Sequence, residues 1–321
     1  MRQQDEHPAG FFFGLMRKIA RDRMALAALL VVAFYLLLAV TMEGYAVGCR
    51  LTGNVPVYAV GCQEERFMPP GREHWFGTDY LGRDVFWRAL AGTATAVKVG
   101  VVAAGIASLL GVLLGAAAGY YGGRVDNFVV FLYSVFASMP TLLFILAFAL
   151  LVNKGFLAAD LSGVVEFSEK YLNTDPGMLA VYLAIGLTGW VTLCRVVRGE
   201  TMRLREGGYV QAAQLAGVGS WRIVMRHIVP NVMHLIIIYF TLRFAYAIMT
   251  EVIVSYLGLG VQTAPSWGVM ISDGQERLWR GIWWEVAAAT LLMFFLVLGL
   301  HTLGDKLRDL TDPRGEQQGN H

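Results

Sequence analysis

Cysteine is scarce in this 321-residue chain, charged residues make up only 16%, and the common signatures of enzymatic chemistry are missing. No Gly-Lys dipeptide occurs, so the GxxxxGK[ST] loop that cradles nucleotide phosphates is absent and the chain cannot bind ATP by that route. Neither HExxH nor GxSxG is present, and the six histidines are scattered without metal-ligand spacing. His301, within an apolar run, reads more plainly as a packing or hydrogen-bonding residue than as a ligand. Nothing in the sequence supports an enzyme, a metal or cofactor held by this chain, or a nucleic-acid partner.

What is present is apolar surface: 56% hydrophobic residues and a mean hydropathy of +0.53. Such a composition places the chain among membrane proteins. The run from Met24 to Met42 holds nineteen residues without a charge. At ~1.5 Å per residue it covers about 28 Å, enough for a hydrocarbon core of roughly 30 Å. It ends in Thr41, Met42 and Glu43 rather than in small residues at a cleavage site, so it reads as an uncleaved first helix. Five further spans are expected near 97–119, 128–152, 177–194, 231–259 and 284–303, giving an all-α, six-span membrane protein with both termini on one side.

Lys and Arg choose the side. With the N-terminus inside, the inner segments (1–23, 120–127, 195–230 and 304–321) carry 15 of the 26 basic residues and 10 of the 24 acids. The expected organisation is a cytoplasmic segment 1–23, a first helix 24–42, an outer loop 43–92, a five-helix core 93–303 containing a cytoplasmic loop 195–230, and a cytoplasmic tail 304–321. Residues 74–92 are expected to form an interfacial helix capped by Thr78 or Asp79, with Trp75, Phe76, Phe86 and Trp87 at headgroup level. The segment 257–274, dense in Gly, Pro and Ser, reads as a loop folded back on the outer face, or as an ordinary connector.

Smaller features carry expectations of their own. Cys49 and Cys62 fall in the outer loop, where an oxidising compartment would let them pair and stabilise the loop by ~2–4 kcal/mol; two free thiols are the alternative. Cys194 reads as a small packing residue. Gly111, Gly115 and Gly119 recur at every fourth position and suit close helix packing. Pro140 should kink or break the third span, a feature that can line a pathway. Arg243 and Glu251 are ionisable residues inside the fifth span. Eight positions apart, they sit about 80° apart around a helix and cannot pair with each other. Arg243 is expected to face a water-filled cavity or a partner's carboxylate, so that both residues are candidates for a substrate path; an interhelical structural charge is the alternative for Arg243.

The stretch YVQAAQLAGVGSWRIVMRHIVPN (209–231) is too polar to span a membrane and too regular to be a mere connector. Tyr209, Ala212, Ala213 and Ala216 fit one helical face, and Gly217 suits a helix end. Ser220 can cap a second helix bearing Trp221, Val224, Met225 and Ile228 on one face and Arg222 and Arg226 on another. Pro230 then sits where the next span begins.

This segment resembles the EAA loop of bacterial ATP-binding-cassette importer permeases, with Ala212, Ala213, Gly217 and Pro230 at the family's spacing and Gln211 in place of its glutamate. The resemblance extends to the peptide and nickel branch, and within it to the second permease of the heterodimer. It rests on FGTDYLGRDVFWR (76–88), GYYGGRVDN (119–127), GLTGWVTLCRVVRGE (186–200), EVIVSYLGLGVQTAPSWGVM (251–270) and GDKLRDLTDPR (304–314). Phe131 and Ser134 stand where the family often has Arg and Asp. The resemblance implies a permease of the bacterial inner membrane, surrounded by lipid. Its partners would be a homologous permease, two cytoplasmic ATPases that bind ATP and Mg, an outer-face solute-binding protein and a peptide substrate. It further implies that Gln211, Ala212, Ala213 and Gly217, flanked by Tyr209 and Leu215, contact the ATPase. Nickel, glutathione or cell-wall peptides are alternative cargoes; a stand-alone secondary carrier, or a membrane enzyme or scaffold, is the rival outside the family.

Overall fold

A computed structural model describes residues 8–153, 176–260 and 264–311. The ends of the expected segments 1–23 and 304–321, and residues 261–263 of the 257–274 segment, lie outside the described residues. Those described contain helices and no strand. α1 (Pro8–Arg21) meets α2 (Arg23–Thr52) at Asp22, whose carboxylate accepts from the backbone N–H of Met24 at 2.9 Å and of Ala25 at 3.2 Å. Lys306 on the last helix approaches the same carboxylate to 2.9 Å, tying the first and last helices together. That lysine first, and the Ala25 N–H after it, hold the Asp22 carboxyl below the usual carboxylate range. We call this the termini end of the molecule.

α3 (Val85–Tyr121) is a single helix of 37 residues. The Asp84 carboxylate caps it by accepting from the N–H of Phe86 at 2.8 Å and Trp87 at 3.2 Å. This corrects the expected interfacial helix: residues 74–84 form turns and isolated bridges, Thr78 and Asp79 cap no helix, and the helix that starts at Val85 is the second span itself. α3 is also the central helix, touching α2, α4 (Gly123–Ser138), α6 (Pro176–Gly189), α7 (Val191–Arg205), α10 (Met233–Tyr256) and α12 (Trp284–Thr311).

The glycine stripe on α3 sets one of these crossings. A Cβ at Gly115 would lie 2.6 Å from the Cys194 carbonyl oxygen, and one at Gly119 2.6 Å from that of Arg198. Apolar contact gives no net drive between helices in lipid, so the backbone approach these glycines allow is what packs α3 on α7. Gly115→Val should therefore cost about 1–3 kcal/mol, read as a lower thermal midpoint in detergent. Gly105→Val is the control, because a Cβ there meets nothing within 4 Å.

α4 and α5 (Thr141–Asn153) are bent by 91° about Pro140. The proline ring has no N–H to offer the carbonyl of Phe136, and Met139 before it adopts an extended backbone with φ −85° and ψ 135°. The Phe144 N–H bonds the Pro140 carbonyl at 3.1 Å and restarts the ladder. Among the described residues five helices are long and apolar enough to cross a membrane, and the count is six if this bent pair is one span. α6 and α7 run on through Trp190 as one of the five, extending to Arg205 rather than ending near residue 194. The chain is an all-α, multi-pass membrane protein.

Between α10 and α12, the expected fold-back loop contains α11 (Trp267–Gln275), buried through Trp267 and Met270. The Trp267 indole N–H donates to the Ala89 carbonyl at 2.8 Å, holding α11 against α3.

Candidate functional site

The segment 206–232 lies at the termini end and is built in two parts. α8 (Gly208–Leu215) buries Val210 fully and Ala213 partly against Tyr120 of α3 and Val197 of α7. The Gln214 amide donates to the Tyr120 hydroxyl at 3.2 Å, and Arg205 donates to the Tyr120 carbonyl at 3.1 Å. The other face, with Gln211, Ala212 and Ala216, is open to solvent, Leu215 is 91% exposed and Tyr209 46% exposed. Of the expected helical face, Tyr209, Ala212 and Ala216 are exposed and Ala213 is half-buried on the inner side, while Leu215 is the most exposed apolar side chain of the helix. Gln211 is exposed and donates to the Glu206 carbonyl at 3.2 Å.

Gly217 ends α8 with φ +74°. Its N–H bonds the Gln214 carbonyl at 3.0 Å and the Val218 N–H reaches the Ala213 carbonyl at 3.1 Å, the paired bonds of a Schellman stop. Only glycine takes this backbone conformation without strain, although the space around it is open.

The second part differs more from expectation. α9 is one turn, Ser220–Ile223, preceded by Gly219; Ser220 makes no cap. It continues as a π turn, Val224–Ile228, a 3₁₀ turn, Val229–Val232, and then α10. Pro230 supplies the reason: it cannot bond the carbonyl four residues earlier, and the ladder widens before it. The Val229 N–H reaches back to the Val224 carbonyl, and the Asn231 amide takes the carbonyl of His227 at 2.6 Å. The buried side chains are Ile223, Val224, Ile228 and Val232, while Trp221 is exposed.

Two of the quoted sequence blocks meet beside this loop. The Arg198 guanidinium forms a two-pronged pair with the Asp126 carboxylate, its Nη2 at 2.7 Å from Oδ2. Inward from the loop, Arg243 donates to the Thr192 hydroxyl at 2.6 Å and lies over the Tyr246 ring, 5.5 Å from its centre. Among the described residues it reaches no carboxylate, Glu251 included. Glu251 is 1% exposed and accepts from the hydroxyls of Ser255 at 2.7 Å and Ser266 at 2.8 Å. It fastens α10 to the start of α11. Pro140 is exposed at the bend of the third span.

The end away from the termini holds a charge cluster that sequence reasoning missed. Arg88 (side chain 6% exposed) reaches Asp79 and Glu285, the latter at 3.3 Å; Arg83 pairs with Asp79 at 2.7 Å and Arg277 with Glu285 at 3.2 Å. Burial raises the nearby Asp273 carboxyl above its ordinary range, with Arg88 and Arg277 opposing that rise. Asp79, Arg83 and Arg88 share the FGTDYLGRDVFWR block, but nothing in sequence links them to Glu285. Cys49 is buried near the end of α2 and Cys62 is exposed, its N–H bonded to the Gly82 carbonyl at 3.4 Å; both are free thiols, so the expected pairing is not made.

Residues 111–314 match the family model described as binding-protein-dependent transport system inner membrane component. The chain is 34% identical over 300 residues to the dipeptide transport system permease protein DppC of Bacillus subtilis, a match covering 93% of this chain and 84% of that protein. It is 32% identical over 305 residues to the oligopeptide transport system permease protein OppC of the same organism, covering 93% and 88%. To the probable D,D-dipeptide transport system permease protein DdpC of Escherichia coli it is 31% identical over 250 residues, covering 78% and 76%. With its membrane-spanning helices and its loop of α8 and the π turn, this chain belongs to the family of binding-protein-dependent transport system inner membrane components.

Proposed function

We propose that the chain is one permease half of an ATP-driven importer of di- and oligopeptides in a bacterial inner membrane. One observation carries this reading: α8 is bonded to the body on its inner face and presents an unpartnered outer face centred on Leu215. Under this proposal the segment receives a partner's motion and passes it on. In this reading the termini end is cytoplasmic, in line with the bias of Lys and Arg toward its segments. Two ATPase subunits bind ATP and Mg there, and this chain holds no ATPase site of its own. A homologous permease completes the path, and a binding protein delivers peptide to the opposite face.

Motion received at Leu215 would reach α3 through Tyr120 and α10 through the π turn. The kink at Pro140 and the Arg243 side chain are the elements we assign to the path itself. Peptide cargo follows the relatives' names. The scarcity of ionisable groups at mid-membrane disfavours a stand-alone carrier driven by ions.

Membrane vesicles with and without this chain test the proposal. ATP-dependent accumulation of a labelled dipeptide should disappear when the chain is deleted and return when it is restored. Uptake that persists without the chain, or that runs on an ion gradient in ATP-depleted vesicles, would overturn it.

A further inference from the structure

A cavity of about 300 Å³ lies between α2 and α3 at the end away from the termini. Its walls carry Glu43 and Arg50 of α2, seven residues and so roughly two turns apart, and Thr95 and Lys98 of α3. Tyr58 covers one side, on a short 3₁₀ turn pinned to α2 by the Val57 N–H donating to the Tyr45 hydroxyl at 3.2 Å. Pro265 closes another, its carbonyl accepting from Thr95 at 2.8 Å.

Three charged side chains line this cavity. Lys98 and Glu43 pair at 2.8 Å, while Arg50, exposed on the same wall, makes no ion pair among the described residues. A guanidinium therefore faces a partly open, partly apolar space beside the Lys98–Glu43 pair. A guanidinium fork matches carboxylate and phosphate oxygens in a two-pronged geometry, and its charge-assisted bonds are among the stronger polar contacts. The volume is at the low end for small-molecule sites, which suits a ligand of dipeptide or lipid-headgroup size.

We propose that this cavity is a binding site for the oxyanion of a small ligand, a carboxylate or a phosphate, with Arg50 as its anchor and Lys98 as a second cation moderated by Glu43. The site lies away from the α8 loop and does not depend on the import reading. Normal uptake with no binding here would overturn this proposal alone.

The test uses the full chain, purified through a tag with whatever subunits accompany it, in phosphatidylcholine nanodiscs. Dialanine, dialanine amide and dihexanoyl phosphatidylglycerol are titrated calorimetrically. At least one oxyanion probe should bind saturably; Arg50→Ala, or Arg50→Gln as a bulkier replacement, should weaken it tenfold or more, and Glu43→Gln should tighten it. Opposite signs from one wall of α2 are not what a general loss of packing produces. Binding of dialanine but not its amide assigns the carboxylate; binding of the lipid but not dialanine assigns the phosphate. If no oxyanion probe binds, or the Arg50 variants bind unchanged, the proposal falls.

Discussion

Leu215→Asp should leave the chain folded in the membrane and lower ATP-driven dipeptide uptake at least about 30-fold, the equivalent of ~2 kcal/mol or more at a contact hot spot. Leu215 is 91% exposed and sits on the last turn of α8. Substitutions at such positions usually move stability by no more than about 0.5 kcal/mol. A carboxylate placed at the centre of an apolar contact leaves an unpaired charge there, so the loss should come from the missing partner. Two measurements check this: the thermal midpoint of the purified protein, expected unchanged, and initial uptake rates in vesicles. Uptake within twofold of the parent would remove α8 as the docking element. Ala213→Asp is a poorer probe, since Ala213 is half-buried against the body and its variant confounds folding with coupling. Gln211→Glu offers the opposite comparison. It restores the family's carboxylate near the positive end of α8 and gives up the amide bond to Glu206, so improved coupling would assign the family's glutamate to the ATPase contact.

Arg88→Met should cost about 3–5 kcal/mol of stability, the usual penalty for removing one partner of a buried ion pair. Arg88 lies between the carboxylates of Asp79 and Glu285, whose side chains are 0% and 1% exposed. Arg83 and Arg277 would each keep one carboxylate company, but neither bridges the two as Arg88 does. Thermal unfolding in detergent should show a clear fall in midpoint. Adding Glu285→Gln should recover part of it, because the second change removes a charge that the first left exposed to repulsion. A midpoint unchanged in Arg88→Met would mean that the cluster is solvated and of little consequence.

Much of this architecture was legible in the residue order. An uncharged run of nineteen residues, a glycine at every fourth position and a lone proline in an apolar stretch each have one dominant physical meaning, and the helices, the α3–α7 crossing and the bend at Pro140 follow them. The failures also have causes. In α8 the candidate face consisted mostly of alanines, which contrast too little with their neighbours to fix a direction; Val210, the one β-branched side chain of α8, marks the buried side. Beyond Gly219 the π turn adds a residue to the helical period, so a face drawn at ~100° per residue loses phase with Ile223 and Ile228, five apart and both buried. The charge cluster joins residues 197 positions apart, which local spacing cannot reveal. Asp79, expected as a cap, is a buried charge, while Asp84, not considered for that role, caps α3; residue type alone does not separate the two, and only the placement of their carboxylates does.

The unbroken length of α3 has a thermodynamic corollary. Its 37 residues extend about 55 Å, with Arg88 and its carboxylates near one terminus and Tyr120, which anchors α8, at the other. No proline or π turn interrupts it to absorb a displacement. Two events that both bias such a rod must bias each other equally: if nucleotide-dependent docking occurs at α8 as proposed, whatever factor an external ligand applies to it, docking returns to that ligand's affinity.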